Sequence, residues 1–349
     1  MQYKRNEKIE LLRVISCLLV ICIHVSNYYS RGYGKISESS YIVSIIINGY
    51  SRVAVPIFFM ISGYLLIHEH IAIKKSIKRV IGTAWILIFW SGVYYIWNYF
   101  YRDKIYDLQL LFEEPVKKHL WFLYAILGMY IALPFLQCLL KNMPPLLMKY
   151  FVLLWVLFLA ANYVLALSDM EVTYQVPLVG SSCYLGYFIM GYLIRCFEGR
   201  IPVKKWECIV IALVAGMITV AATYLYTDYK GFHVERFFEY RNILIGISAT
   251  AVFIGVLQGK EQQLKKNTLK IIRCISRHSL TIYLSHILFL DIIKKECNPR
   301  GLFSGVGIIL YVGIVFVITL VFSVAFDRIS GKIHKIVQAI IKCKPGENR

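Results

Sequence analysis

The chain has 349 residues, 58% of them apolar and 17% charged, with a formal net charge of +19 at neutral pH. Soluble domains average roughly 45–50% apolar and about 25% charged residues, so the composition excludes an ordinary soluble enzyme and points to an integral membrane protein. The basic excess is read as positive cytoplasmic loops rather than a nucleic-acid surface, and nine scattered cysteines with no CxxC pair argue against a disulfide framework or a metal site.

Ten stretches have the length and apolarity of a membrane span: 9–28, 41–67, 80–100, 119–140, 150–168, 178–196, 207–227, 240–258, 279–295 and 303–326. With the N-terminus inside, the inner segments hold about twice as many Lys and Arg as the outer ones, which predicts both termini in the cytoplasm. A short basic tail, 327–349, would follow the last span. The longest connections leave no room for a soluble domain, and no internal repeat is visible.

The first stretch, "ELLRVISCLLVICIHV", has basic flanks and no small-residue cleavage site, so it is expected to remain as a span. It carries Glu10, Arg13 and His24. Glu10 and Arg13 are three residues apart and neighbour each other on a helix. Arg13 and His24 are eleven apart, about three turns, which puts both on one face with roughly 16 Å between them along the axis. Two readings are open: a topogenic arginine plus an interior histidine, or a cation and an imidazole that engage two ends of one long ligand.

The second stretch, "SRVAVPIFFMISGYLL", places Arg52 inside a hydrophobic run, where it needs a partner or a wet cavity. Pro56 predicts a kink or break there, and Ser62 and Gly63 allow close helix approach. Lys74, Lys75, Lys78 and Arg79 follow at the third span's edge, as a topogenic loop or a phosphate-binding cluster. "HLWFL" opens the fourth span with His119 and Trp121, an interfacial belt position. The short, polar ninth span carries Ser279, Tyr283 and a second intramembrane imidazole, His286.

Taken together, "ELLRVISCLLVICIHV" with its Arg-x10-His spacing, "SRVAVPIFFMISGYLL", "KKSIKR", "HLWFL" and "SLTIYLSH" resemble acyltransferase family 3, over roughly residues 5 to 330. The resemblance implies a bundle of about ten helices that takes an acyl group, often acetyl, from cytoplasmic coenzyme A and gives it to a hydroxyl of a sugar, a lipid-linked glycan or another acceptor. His24 matches the family's catalytic histidine, Arg13 its essential arginine, and Ser62, Gly63 and Tyr64 its Ser-Gly-aromatic segment. Without room for the hydrolase-like domain that some members carry, the chain is expected to act alone or pass its product to another protein.

The expectation is therefore an all-α, multi-pass protein of the cytoplasmic membrane, an O-acetyltransferase that uses acetyl-coenzyme A and no metal. Its acceptor would be a surface polysaccharide or its lipid-linked precursor. Glu10 would orient Arg13, and Lys74, Lys75, Lys78 and Arg79 would hold the donor's phosphates. Ser62, Gly63 and Tyr64 would line the donor site, with Arg52, Trp121 and His286 as further candidates. The sequence is also similar to the membrane domains of membrane-bound serine racemases, so a serine carrier with no acyl transfer is the alternative.

Overall fold

The computed structural model describes residues 6–69, 73–102, 114–168, 170, 183–259 and 265–342. These form helices and, among the described residues, no strand. The expected all-α polytopic architecture is the one observed. Among the described residues, eight helical segments are long and apolar enough to cross a membrane, a shorter apolar one covers Cys183–Cys196, and the segment of the ninth expected span lies in a long, more polar helix.

Helix α1, Glu7–Ser30, starts cleanly because the Asn6 side chain accepts the backbone N–H groups of Lys8 and Ile9. Glu7 and Glu10 stand in its first turn, where the helix dipole favours negative charge. The second expected span is two helices, α2 (Glu38–Ser51) and α3 (Ala54–Leu66), separated by a turn at Arg52 and Val53. Pro56 explains the break: it has no N–H for the carbonyl of Arg52, and its ring crowds that carbonyl. In the first turn of α3 the same proline costs nothing, and the first α-helical bond there runs from Ile57 N–H to Val53 O at 3.0 Å.

The chain continues through α4 (Ile73–Arg102), a 3₁₀ turn at Lys118–Leu120, α5 (Trp121–Lys141) and α6 (Pro145–Leu167). Then come α7 (Cys183–Cys196), α8 (Lys205–Lys230), a 3₁₀ turn at Arg236–Phe238, α9 (Ile243–Leu257), α10 (Lys266–Glu296), the short α11 (Pro299–Leu302) and α12 (Gly307–Lys342). The beginning of the sixth expected span, 178–182, lies outside the described residues, as does 343–349 of the expected tail. Helix α12 runs well past the expected end of the tenth span.

Helix α1 is the central element and packs against α2, α3, α9, α10 and α12. That explains a hydrophobic face on all sides, interrupted by small and polar residues such as Ser16 and Ser26, both fully buried. Helices α3 and α7 press together at two glycines. A Cβ on Gly63 would lie 1.7 Å from Phe188 O, and one on Gly191 would lie 2.0 Å from Met60 O. Only a missing side chain lets two backbones approach this closely.

Candidate functional site

His24, His119 and His286 come from three separate helical segments and meet in the interior. Their ring centroids are 4.9 Å apart for His24 and His286, 5.4 Å for His119 and His286, and 6.4 Å for His24 and His119. His119 and His286 are buried, whereas His24 is half-buried. His286 Nδ1 lies 2.6 Å from Tyr283 O, an acceptor, so that nitrogen carries the proton and donates it. His286 Nε2 is then a lone-pair nitrogen, buried and with no hydrogen-bond partner. By the same reasoning His119 Nε2–H donates to Leu284 O at 3.3 Å, which leaves a partnerless Nδ1. Two tyrosines hold this framework in place. The Tyr94 hydroxyl donates to Leu284 O at 2.6 Å with its ring edge-on to His119, and the Tyr283 hydroxyl donates to His119 O.

One turn beyond His24, Asn27 meets the α2–α3 break. Arg52 Nε donates to Asn48 Oδ1 at 2.7 Å and Nη2 to Asn27 Oδ1 at 3.3 Å, while the guanidinium sits 5.2 Å from the centre of the Phe238 ring. Arg52 is 9% exposed, and no carboxylate lies within salt-bridge distance of it among the described residues. Beside it stands an aromatic wall. The half-buried Trp121 ring lies 4.8 Å from Tyr184 and 5.9 Å from Tyr240, tilted by 36° and 33° to them, and the Tyr240 hydroxyl lies beside Arg52. Trp121 therefore faces an internal aromatic cluster instead of serving as a belt residue.

Toward the N-terminal end of α1 a second polar group forms. Glu10 Oε1 is 3.6 Å from Arg13 Nη1, as the i,i+3 spacing implies. Tyr130 of α5 lies within electrostatic reach of both Arg13 and Arg79, and its hydroxyl pairs with Ser62. Ser62 Oγ donates to Phe58 O at 3.0 Å, and Arg79 is held by Glu69 at 3.0 Å. Lys74, Lys75 and Lys78 are exposed, while Arg79 is half-buried. Gly63 meets α7, and Tyr64 meets the end of α7 and the turn after it. Tyr64 donates to Glu198 Oε2 at 2.5 Å, and its backbone oxygen accepts from Arg195 Nη1 at 2.8 Å. Among the described residues no group of three or more His, Cys, Asp or Glu is arranged to hold a metal ion.

A family model described as an acyltransferase domain matches residues 6–328. The chain belongs to acyltransferase family 3. None of the curated proteins and none of the solved structures compared with it matches. This acyltransferase is thus a multi-pass membrane protein, with the polar groups described above enclosed by its helices.

Of the residues singled out in the sequence, the acyltransferase brings His24 beside His286 and Arg13 beside Glu10, with Tyr130 within electrostatic reach of both Arg13 and Arg79. Arg52 and Trp121 stand in the polar and aromatic surroundings one turn beyond His24. Residues of equal standing that pattern reading passed over are Asn27, Asn48, Tyr94, Tyr130, Tyr184, Tyr240 and, as a cluster member, His119. Asn27 carries the one usable signal, an amide on the His24 face of the first span; an interior tyrosine has none.

Proposed function

We propose that this acyltransferase moves an acetyl group from acetyl-coenzyme A, bound at the end where α1 begins, to a hydroxyl of a glycan or lipid-linked glycan on the other side of the bundle. The observation that carries this reading is the stripe on α1. Arg13 stands at one end, with Tyr130 within electrostatic reach of it and of Arg79, and His24 stands beside His286 about 16 Å away along the axis. An elongated donor with phosphates at one end and a thioester at the other suits that arrangement. Arg13, oriented by Glu10, and Arg79 would take phosphate charge, with Lys74, Lys75 and Lys78 adding a screened attraction at the mouth. Ser62 would line the path, and Gly63 and Tyr64 would support it by fixing α3 on α7.

His24 is the base in this scheme. As the acceptor oxygen attacks the thioester carbonyl, the O–H proton passes to the neutral imidazole. The tetrahedral intermediate then collapses with cleavage of the C–S bond, and the imidazolium returns its proton to the departing thiolate. The products are an ester and free coenzyme A. The His286 ring, packed beside His24 and carrying a lone-pair Nε2, would orient the base as it becomes charged. A helix interior keeps out the water that would hydrolyse the thioester. Trp121, Tyr184 and Tyr240 offer flat apolar faces with polar edges for a sugar ring, and Arg52 supplies a buried donor beside it. The basic end of α1 is assigned to the cytoplasm and the protein to the cytoplasmic membrane.

The test is thermal unfolding of the purified protein with acetyl-coenzyme A and, separately, with L-serine. A ligand that binds only the folded state raises the midpoint. The reading predicts a rise with acetyl-coenzyme A that Arg13→Ala removes. A rise with serine alone would make the chain a carrier and take the catalytic role from His24.

A further inference from the structure

Tyr28 lies four residues beyond His24 on α1, one helical turn further along the same face. Two cations flank its ring. Lys294 Nζ, from the end of α10, is 4.7 Å from the ring centre, and Arg300 Cζ, from α11, is 4.2 Å from it. The fold builds this pair deliberately. Asn298 adopts a left-handed φ of 38°, uncommon for a residue with a side chain, and turns the chain back toward α1. Tyr29 locks that turn by donating to Pro299 O at 2.6 Å. Gly32 makes room for the guanidinium, since a Cβ there would lie 3.0 Å from Arg300 Cζ.

The charges do not balance. Arg300 spends one nitrogen on Tyr28 O, but its Nε is buried without a partner. Lys294 is half-buried and has no hydrogen bond or ion pair among the described residues. The surrounding carboxylates are already committed. Asp291 accepts from Lys117 at 2.6 Å with Arg102 at 3.9 Å, Glu296 accepts from Tyr101 at 3.0 Å, and Glu235 accepts from Arg31 at 2.5 Å. Arg52 adds a further unpaired positive charge on the other flank of His24, and both it and Lys294 lie within electrostatic reach of that imidazole. Cations withdrawn from water without a counter-charge are costly, and an anionic ligand removes that cost.

We infer that Lys294 and Arg300 form a phosphate site, and that the acceptor carries a phosphate which docks there one helical turn beyond the hydroxyl presented to His24. The site selects a phosphate-bearing glycan or polyol, such as a sugar linked to a lipid through phosphate, over a neutral sugar. Arg offers several N–H donors to phosphate oxygens, and Lys a compact point charge. The assignment of this phosphate to the acceptor rests on the acyl-transfer reading of His24; the binding measurement below does not.

The full-length protein is placed in nanodiscs of phosphatidylcholine alone, and binding of a polyprenyl phosphate is compared with that of the uncharged polyprenol of equal length. The expected result is tighter binding of the phosphate. Lys294→Gln should weaken that binding at least about tenfold, Lys294→Arg should retain it, and Lys270→Gln, at the opposite end of α10, should leave it unchanged. Stabilisation of Lys294→Gln by acetyl-coenzyme A reports that the variant is folded, and separates failure of this site from failure of the donor reading. Equal affinity for phosphate and alcohol, or wild-type affinity in Lys294→Gln, would overturn the site. If phosphatidylglycerol in the disc abolishes polyprenyl phosphate binding in the wild type, the bilayer's own phosphate is the occupant and the acceptor assignment falls.

Discussion

His24 on α1 and His286 on α10 stand with ring centroids 4.9 Å apart, although they come from opposite ends of the chain. The tautomer of His286 is set by its bond to Tyr283 O, which leaves Nε2 a bare nitrogen on a ring that packs beside His24. A base oriented by a second group is the usual economy of proton transfer. His24→Ala should therefore lower transfer by at least about 10²–10⁴-fold. His286→Asn, which keeps polarity but not the imidazole, should cost less and shift the pH–rate profile. An unshifted profile with a reduced rate would make His286 a packing residue only.

At the other end of the stripe, Arg13→Ala and Arg79→Gln should each raise KM for acetyl-coenzyme A more than they lower kcat, because they bind donor phosphate remote from the reacting carbonyl. Losing one charge-assisted contact costs about 1.5–3 kcal/mol, or roughly ten- to a hundredfold. Lys74→Gln, Lys75→Gln and Lys78→Gln should have smaller effects that vanish at high salt, since these side chains are exposed. Steady-state kinetics at two ionic strengths separate the two groups.

The α3–α7 contact carries a stability prediction. Gly63→Ala puts a methyl carbon into the backbone of Phe188, and Gly191→Ala does the same at Met60. Rigid backbone cannot yield as a flexible side chain does, so each variant should lose about 1–3 kcal/mol or more. Gly82→Ala, where nothing lies within 4 Å, should be neutral or slightly stabilising. Thermal midpoints of the three variants measured together check this.

Outside the spans, burial and the nearby Arg31 and Arg52 cations hold His233 down to about 4, against an ordinary 6.5. The folded protein therefore binds fewer protons here than the unfolded chain between these values. The stability this histidine contributes is complete above pH 6.5 and is lost as the pH falls toward 4. His233→Gln should flatten the fall in thermal midpoint between neutral and mildly acidic pH. An identical fall in the variant would assign the acid sensitivity elsewhere.

The legible part of this molecule was what one helix or one local rule dictates. Hydropathy marked the long apolar helices, Pro56 marked the break at Arg52, and the eleven-residue spacing put Arg13 and His24 on one face of α1. The rest needed helices to meet. His119 sits at the start of a span, where a sequence reads as interface, yet the turn at Lys118–Leu120 carries it inside against His24 and His286. Trp121 follows it inward for the same reason. Lys294 and Arg300 look like ordinary basic flanks until the turn at Asn298 brings Arg300 back over the Tyr28 ring that Lys294 also meets. Tyr130 gives no sign, among so many tyrosines, that it lies within electrostatic reach of both Arg13 and Arg79.

The central claim is that an acyl group passes from coenzyme A to an acceptor hydroxyl at His24. Inverted membrane vesicles, with the cytoplasmic face outward, would be given acetyl-coenzyme A radiolabelled in the acetyl group. The account predicts that label enters the glycan and lipid-linked glycan fraction with the wild-type protein and stays at background with His24→Ala. Incorporation at background with both proteins, or at equal rates with both, would contradict it.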